Sequence, residues 1–332
     1  MVYYLGYYSV YVSILSLKLC ASYEPTMKLT YTYLLYSLMI LSISLFAVNA
    51  IAIAVEAKDK SGSDPNIKLV NVPYSAVAKL PQVPAEKTVK YGIDPQQYFY
   101  YWPAQVDDNP ALEDDKRAPV IMIHGGCWLS AFDITHSIAQ ANGLAQAGHA
   151  VYSIEYRRSG ETGGGWPITF NDVMLGITSI IESLPESTTT VNLIGHSAGG
   201  HLALLAAGDI QRHLALLGRS DLTLNIVGLA AIVDIKQYAL GQNSCQAATT
   251  DFMAGMPDEK ISDYYLANPL KLALTDQALT QVTLLQGDVD TIVPISQARH
   301  PNAHTIIEPG AGHFDWIHPQ SSAFQTLLGV LQ

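Results

Sequence analysis

The chain has 332 residues, 49% of them hydrophobic and 14% charged, with a net charge of -11. That composition can bury a sizeable core and excludes a disordered chain. The acidic balance repels phosphate backbones and excludes nucleic acid as a partner held by bulk charge.

The first element in chain order is a leader, expected over residues 1–57. From Met27 the sequence reads MKLTYTYLLYSLMILSISLFAVNAIAIAVEA. Lys28 gives a short positive region, Leu34 to Val48 an apolar run, and Val48-Asn49-Ala50 or Val55-Glu56-Ala57 a small-residue cleavage site. This is the pattern of a secretory signal peptide, with Met27 the expected start. An uncleaved anchor is the alternative, because the apolar run continues to Val55, roughly the ~20 residues that span a bilayer. Either way, Lys28 on the cytoplasmic side puts residues 58–332 outside the cytoplasm, in the periplasm or secreted. The membrane is touched only through the leader, if it is uncleaved.

Residues 58–80 are polar and irregular. Tyr98–Trp102 is an aromatic strand, and the stretch 107–118 is a charged loop. A buried strand, PVIMI, then runs into His124-Gly125-Gly126. Helical spacing follows over Ser137–Ala147 and again over 170–184, with a strand at 149–157 between them. Further strands are expected at 190–195, 225–235, 281–288 and 304–309, and the last helix at 322–331. Strands alternating with helices predict an α/β fold, a mainly parallel sheet flanked by helices in one domain. The segment 236–280 follows the sixth strand, and its length suits a small cap. In such sheets functional side chains gather beyond the carboxyl ends of the strands.

Gly195-His196-Ser197-Ala198-Gly199 joins a strand to a helix and matches the G-x-S-x-G elbow. That turn lifts a serine clear of the backbone, and its small neighbours avoid a clash with strand and helix. A hydroxyl needs a base, and the base an orienting acid. His313, flanked by Gly310 and Gly312, is the expected base; His304 and His318 are rivals read as surface or capping residues. Asp290 is the expected acid, with Asp288 shaping the turn and Asp234 an outside candidate. Backbone amides of Gly126, Cys127 and Ala198 are the expected donors to an oxyanion.

HGGCW at 124–128, IEYRR at 154–158, GGGWP at 163–167, GHSAGGHLAL at 195–204, GDVDTIVP at 287–294 and GAGHF at 310–314 together resemble the α/β-hydrolase superfamily. More narrowly they resemble the esterase branch that includes kynurenine formamidase-like enzymes. Cys127 departs from that branch at a position where an aromatic often stands. The resemblance implies a Ser–Asp–His hydrolase of carboxylic esters or aryl-formamides that uses neither a metal nor an organic cofactor. Its partner would be a small ester or amide. A serine exopeptidase and a non-catalytic module on the same fold are the alternatives.

Trp128, Trp166 and Phe314 are expected around a pocket for a small acyl group, with Phe170 and Trp316 nearby. Glu155 and Arg157 are expected to brace the glycine loop as an ion pair. Asp172 is placed near a helix start, and His196 and His201 pack beside the elbow. His300 and His304 have metal-site spacing, but Pro301 stands between them and no third ligand is evident. Beyond the leader only Cys127 and Cys245 remain, within reach of each other in principle; two free thiols are the expected state.

Overall fold

A computed structural model describes residues 69–105, 117–272 and 280–331. The leader expected over 1–57 and the charged stretch 107–116 lie outside the described residues. Among those described, no helix is long and apolar enough to cross a membrane.

In chain order the elements are α1 (Tyr74–Val77), β1 (Lys87–Lys90), β2 (Tyr98–Trp102), β3 (Val120–Ile123), α2 (Ile138–Gln146), β4 (Val151–Ile154), α3 (Ile168–Ser183), β5 (Thr190–His196), α4 (Ala198–Leu216), β6 (Thr223–Leu229), α5 (Ile235–Tyr238), α6 (Ser244–Met253), α7 (Ile261–Leu266), β7 (Thr280–Gly287), β8 (His304–Glu308) and α8 (Ser322–Val330). The strands form one sheet in the order β1-β2-β4-β3-β5-β6-β7-β8. The pairings of β1 with β2 and of β2 with β4 are antiparallel, and the rest are parallel.

Side-chain alternation divides the core between the two faces of the sheet. Ile121, Ile123, Leu193, Ile226 and Leu284 pack with Ile177, Ile180 and Leu202 of α3 and α4. Their neighbours Val120, Met122, Ile194, Val227 and Leu285 pack with Leu144, Phe324 and Leu327 of α2 and α8. Strand β3 is therefore buried on both faces, as a central parallel strand requires.

Four details differ from the sequence reading, the first being the strand expected at 225–235, which runs only over Thr223–Leu229. β1, sequence KTVK, is exposed throughout and joins the sheet only at its edge. The segment 69–80 is tied down: Leu69 bridges Ser321, and the Val72 amide donates to Asp315 Oδ2 at 3.0 Å. The strand expected at 149–157 ends at Ile154, so the residues after it leave the pleat.

The cap, α5 to α7, enters between β6 and β7. Its α6 starts with a reciprocal Asn243–Gln246 capping box. Asn243 Nδ2 and the Tyr238 hydroxyl both donate to the Ile292 carbonyl, which ties the cap to the loop after β7. His201 of α4 reaches it from below, donating to the Ala267 carbonyl at 2.8 Å.

Candidate active site

Ser197 stands between β5 and the 19-residue α4 with φ 57° and ψ -119°. A non-glycine residue holds that backbone only where the surroundings enforce it. The Ser197 amide donates to the Leu229 carbonyl on β6, and its own carbonyl accepts from the His201 amide. Close packing explains the small neighbours. A Cβ on Gly195 would lie 2.2 Å from the Gly199 carbonyl oxygen, and one on Gly199 would lie 2.2 Å from that of Ile123. The Ser197 hydroxyl makes no hydrogen bond among the described residues; in substrate-free sites such contacts are commonly long and tighten on binding.

The loops after β7 and β8 meet over the sheet. His313 Nδ1 donates to Asp290 Oδ2 at 2.7 Å, and the Asp290 side chain is fully buried. Asp290 Oδ1 accepts from the amides of Ile292 and Val293, while Gln286 Nε2 donates to Oδ2. The carboxylate is thus fixed on both oxygens. A proton held on Nδ1 leaves Nε2 as the basic nitrogen. His196, next to Ser197, donates from Nε2 to the His313 carbonyl at 2.9 Å, and the two rings lie 4.7 Å apart. Burial, and then repulsion from His313 and His136, pushes His196 well below the usual imidazole range, so it is neutral.

The glycine loop lies against this corner: a Cβ on Gly125 would be 3.2 Å from the Ser197 Cβ. Gly126, Cys127 and Trp128 have φ of 112°, 54° and 58°, three successive residues of left-handed hand. Among the described residues, the amides of Gly126, Cys127 and Ala198 donate to no protein acceptor. Unpaired amides at a helix N-terminus and in such a turn suit developing negative charge.

Beneath the loop lies a buried polar cluster. His124 stacks on Tyr156 at 4.4 Å, its Nε2 is 3.0 Å from Glu155 Oε1, and its Nδ1 is 2.7 Å from the Gly125 carbonyl. Both ring nitrogens face acceptors. Holding the Gly125 carbonyl turns the Gly126 amide to the opposite side of the peptide plane. Glu155 also accepts from the amides of Ile134 and Tyr156. Burial raises its carboxyl, but His124, Arg158 and the Ile134 amide together hold it below the usual carboxylate range.

The expected ion pair is corrected here. Glu155 pairs with Arg158, at 3.5 Å, and Arg157 instead forms a bidentate pair with Asp172. Asp172 lies one turn inside α3, buried, and also accepts from Gln97 Nε2 at 2.7 Å. The two cysteines are likewise not free thiols: Cys127 and Cys245 are disulfide-bonded, with Cα atoms 5.1 Å apart.

The remaining expected residues are dispersed. Trp128 is fully buried, stacked on Phe252 at 4.7 Å and edge-on to His201, so it supports the loop from within the core and lines no open wall. Trp166 packs on Phe170 and the edge of Phe252, and Trp316 is buried in the core on the opposite face of the sheet. Of the expected pocket residues, Phe314 contacts the expected base, its ring 5.1 Å from that of His313. Asp288 accepts from the Gly310 amide, and Asp234 caps α5. His304 begins β8, and His318 accepts from the Gln320 amide. Among the described residues no group of three His, Cys, Asp or Glu is arranged to hold a metal. Two residues not singled out from sequence join the site: Tyr74 and His136 stack at 5.0 Å, and each also meets Phe314. Their sequence signal is weak, because Tyr74 lies in a segment without periodicity and His136 precedes α2.

A serine on a strained strand–helix corner, a histidine–carboxylate pair and a glycine loop, gathered above one mainly parallel sheet, define an esterase-type α/β-hydrolase. The BD-FAE family model matches residues 109–304, and the chain belongs to this α/β-hydrolase family. Similar solved structures include esterase B from Lactobacillus rhamnosis, at 20% identity and TM-score 0.59, covering 87% of this chain and 93% of that one. A truncated carbohydrate esterase from gut microbiota matches at 20% identity and TM-score 0.56, covering 74% and 96%. The bifunctional GH43-CE of Bacteroides eggerthii matches at 19% identity and TM-score 0.55; the alignment covers 72% of this chain but only 34% of that larger protein. These likenesses are of fold. Among curated proteins no relative matches the chain.

Proposed function

We propose that the protein is a serine esterase that cleaves short-chain or aryl carboxylic esters through an acyl-enzyme. Ser197 Oγ attacks the ester carbonyl while His313 Nε2 takes its proton, and Asp290 holds the imidazole and stabilises the imidazolium. The amides of Gly126, Cys127 and Ala198 receive the tetrahedral oxyanion. His313 then protonates the leaving alkoxide. Water repeats the sequence on the acyl-enzyme and releases the acid.

The observation that carries this reading is the 2.7 Å His313–Asp290 bond, on a loop whose His313 carbonyl is tied to the residue preceding Ser197. Phe314 beside His313, with Tyr74 packed against Phe314, favours a small acyl group or a flat ring over a long chain. Carbohydrate esterases share the fold, so sugar acetates belong with aryl-formamides among the substrates to compare. The Cys127–Cys245 bridge supports work outside the cytoplasm, where disulfides persist.

The test is a substrate panel: p-nitrophenyl esters of graded chain length, an acetylated sugar and N-formylkynurenine. Acetate and butyrate esters are expected to turn over far faster than long-chain esters, and Ser197→Ala is expected to abolish hydrolysis. Preference for long chains overturns the small-pocket reading, and full activity in Ser197→Ala overturns the mechanism.

A further inference from the structure

The Cys127–Cys245 bridge joins the glycine loop to the cap. Cys127 lies in the middle of the left-handed run from Gly126 to Trp128. Cys245 is the second residue of α6. The two are 118 positions apart in sequence, and both are buried.

The backbone around Cys127 is held unevenly. The Gly126 carbonyl accepts from the Leu129 amide at 2.9 Å, and the Trp128 carbonyl accepts from the Ser159 amide at 2.8 Å. The N–H and C=O of Cys127 have no hydrogen-bond partner among the described residues. A non-glycine residue at φ 54° is in a conformation that must be enforced. At Cys127 the covalent tether to α6 is what can enforce it. Two turns further along α6, Phe252 stacks on Trp128 and its carbonyl accepts from the Trp166 amide, so the helix that receives the tether at its first turn is itself anchored at its last.

We propose that the disulfide is a positioning device, holding the Cys127 amide in its oxyanion-binding orientation and making ester hydrolysis sensitive to thiol reductants. The inference rests on the esterase reading above. Reduction by a dithiol adds two electrons and two protons to the S–S bond; it leaves two thiols and the cyclic disulfide of the reagent. The Cys127 peptide is then free to relax toward negative φ, which turns its N–H away from the oxyanion. An oxyanion contact strengthens only in the transition state, so its loss lowers kcat and leaves KM nearly unchanged.

The experiment compares oxidised protein, protein reduced by a dithiol below its unfolding temperature and then reoxidised, and Cys245→Ser, which keeps Cys127 and its amide. The substrate is p-nitrophenyl acetate. A whole donor is worth about 10²–10³ in rate, so a fall in kcat of at least about tenfold is expected in both perturbed forms. KM should stay within about threefold, and reoxidation should restore the reduced sample. If Cys245→Ser does not fold, the reversible reduction decides; if the folded bridge resists the dithiol, Cys245→Ser decides. Unchanged kcat with only a lower melting temperature overturns the inference. Oxidised protein that neither hydrolyses esters nor labels with a fluorophosphonate overturns the esterase reading and this inference together. Protein equally active in both redox states overturns this inference alone.

Discussion

Glu155→Gln is the sharpest probe of the polar cluster that supports the glycine loop. The carboxylate is fully buried, with His124 at 3.0 Å, the Ile134 and Tyr156 amides each at 2.8 Å and Arg158 at 3.5 Å. An amide of the same shape keeps one acceptor and places N–H against donors. Breaking a buried pair from one side costs about 3–5 kcal/mol. Arg158 keeps Glu161 at 2.8 Å and the Phe132 carbonyl at 2.8 Å, so its charge is not stranded. The expected loss is therefore at the lower end, about 3 kcal/mol, read as a fall in urea midpoint at unchanged m-value. Because the folded Glu155 carboxyl lies below its ordinary 4.5, its stabilisation is complete above that value and is lost as pH falls through the lower folded value. The gap between wild type and Glu155→Gln should accordingly close in acid. A gap below about 0.5 kcal/mol at neutral pH, the range of a plain surface substitution, would refute this account of the cluster. So would a gap that persists undiminished at low pH.

Asp290→Asn keeps the shape of the acid but removes its hold on the imidazole tautomer, and kcat should fall about 10³–10⁴-fold in a steady-state ester assay; a change under tenfold would contradict the role. Gly199→Ala drives a Cβ into two backbone carbonyl oxygens, of Ile123 at 2.2 Å and His124 at 2.4 Å. A loss of about 3 kcal/mol or more is expected, a fall of roughly 6–12 °C in melting temperature by calorimetry, and an unshifted transition would contradict the packing. Burial lowers His201 to about 4 from an ordinary 6.5. The unfolded chain therefore takes up a proton first as pH drops below 6.5, and stability should fall by up to ~1.4 kcal/mol per pH unit until about pH 4, then level for this group. His201→Gln should show a slope shallower by about one proton in pH-dependent denaturation, and an equal slope would contradict the assignment.

Much of the fold was legible because the chain changes period sharply. β3 reads as a continuous apolar run, and Gly195-His196-Ser197 marks where strand gives way to helix. The pairing of His313 with Asp290 followed from chain order, since both sit just past strands. β1 was not legible because KTVK at a sheet edge carries neither alternation nor a buried side chain. That Arg158 and not Arg157 meets Glu155 depends on where the pleat ends. It stops at Ile154, and beyond it the alternation no longer says which side chain faces Glu155. The disulfide was missed for a related reason: a separation of 118 residues says nothing about distance until the cap is placed over the glycine loop. Tyr74 and His136 meet Phe314 only through tertiary packing, which local pattern does not encode.

The central claim is that Ser197 is a nucleophile activated by His313. It is tested most directly by fluorophosphonate labelling, with the modified residue mapped by peptide mass spectrometry. The account expects one adduct, on Ser197, absent in Ser197→Ala and formed far more slowly in His313→Ala. An adduct on another residue, or labelling of Ser197 at the wild-type rate in His313→Ala, would contradict it.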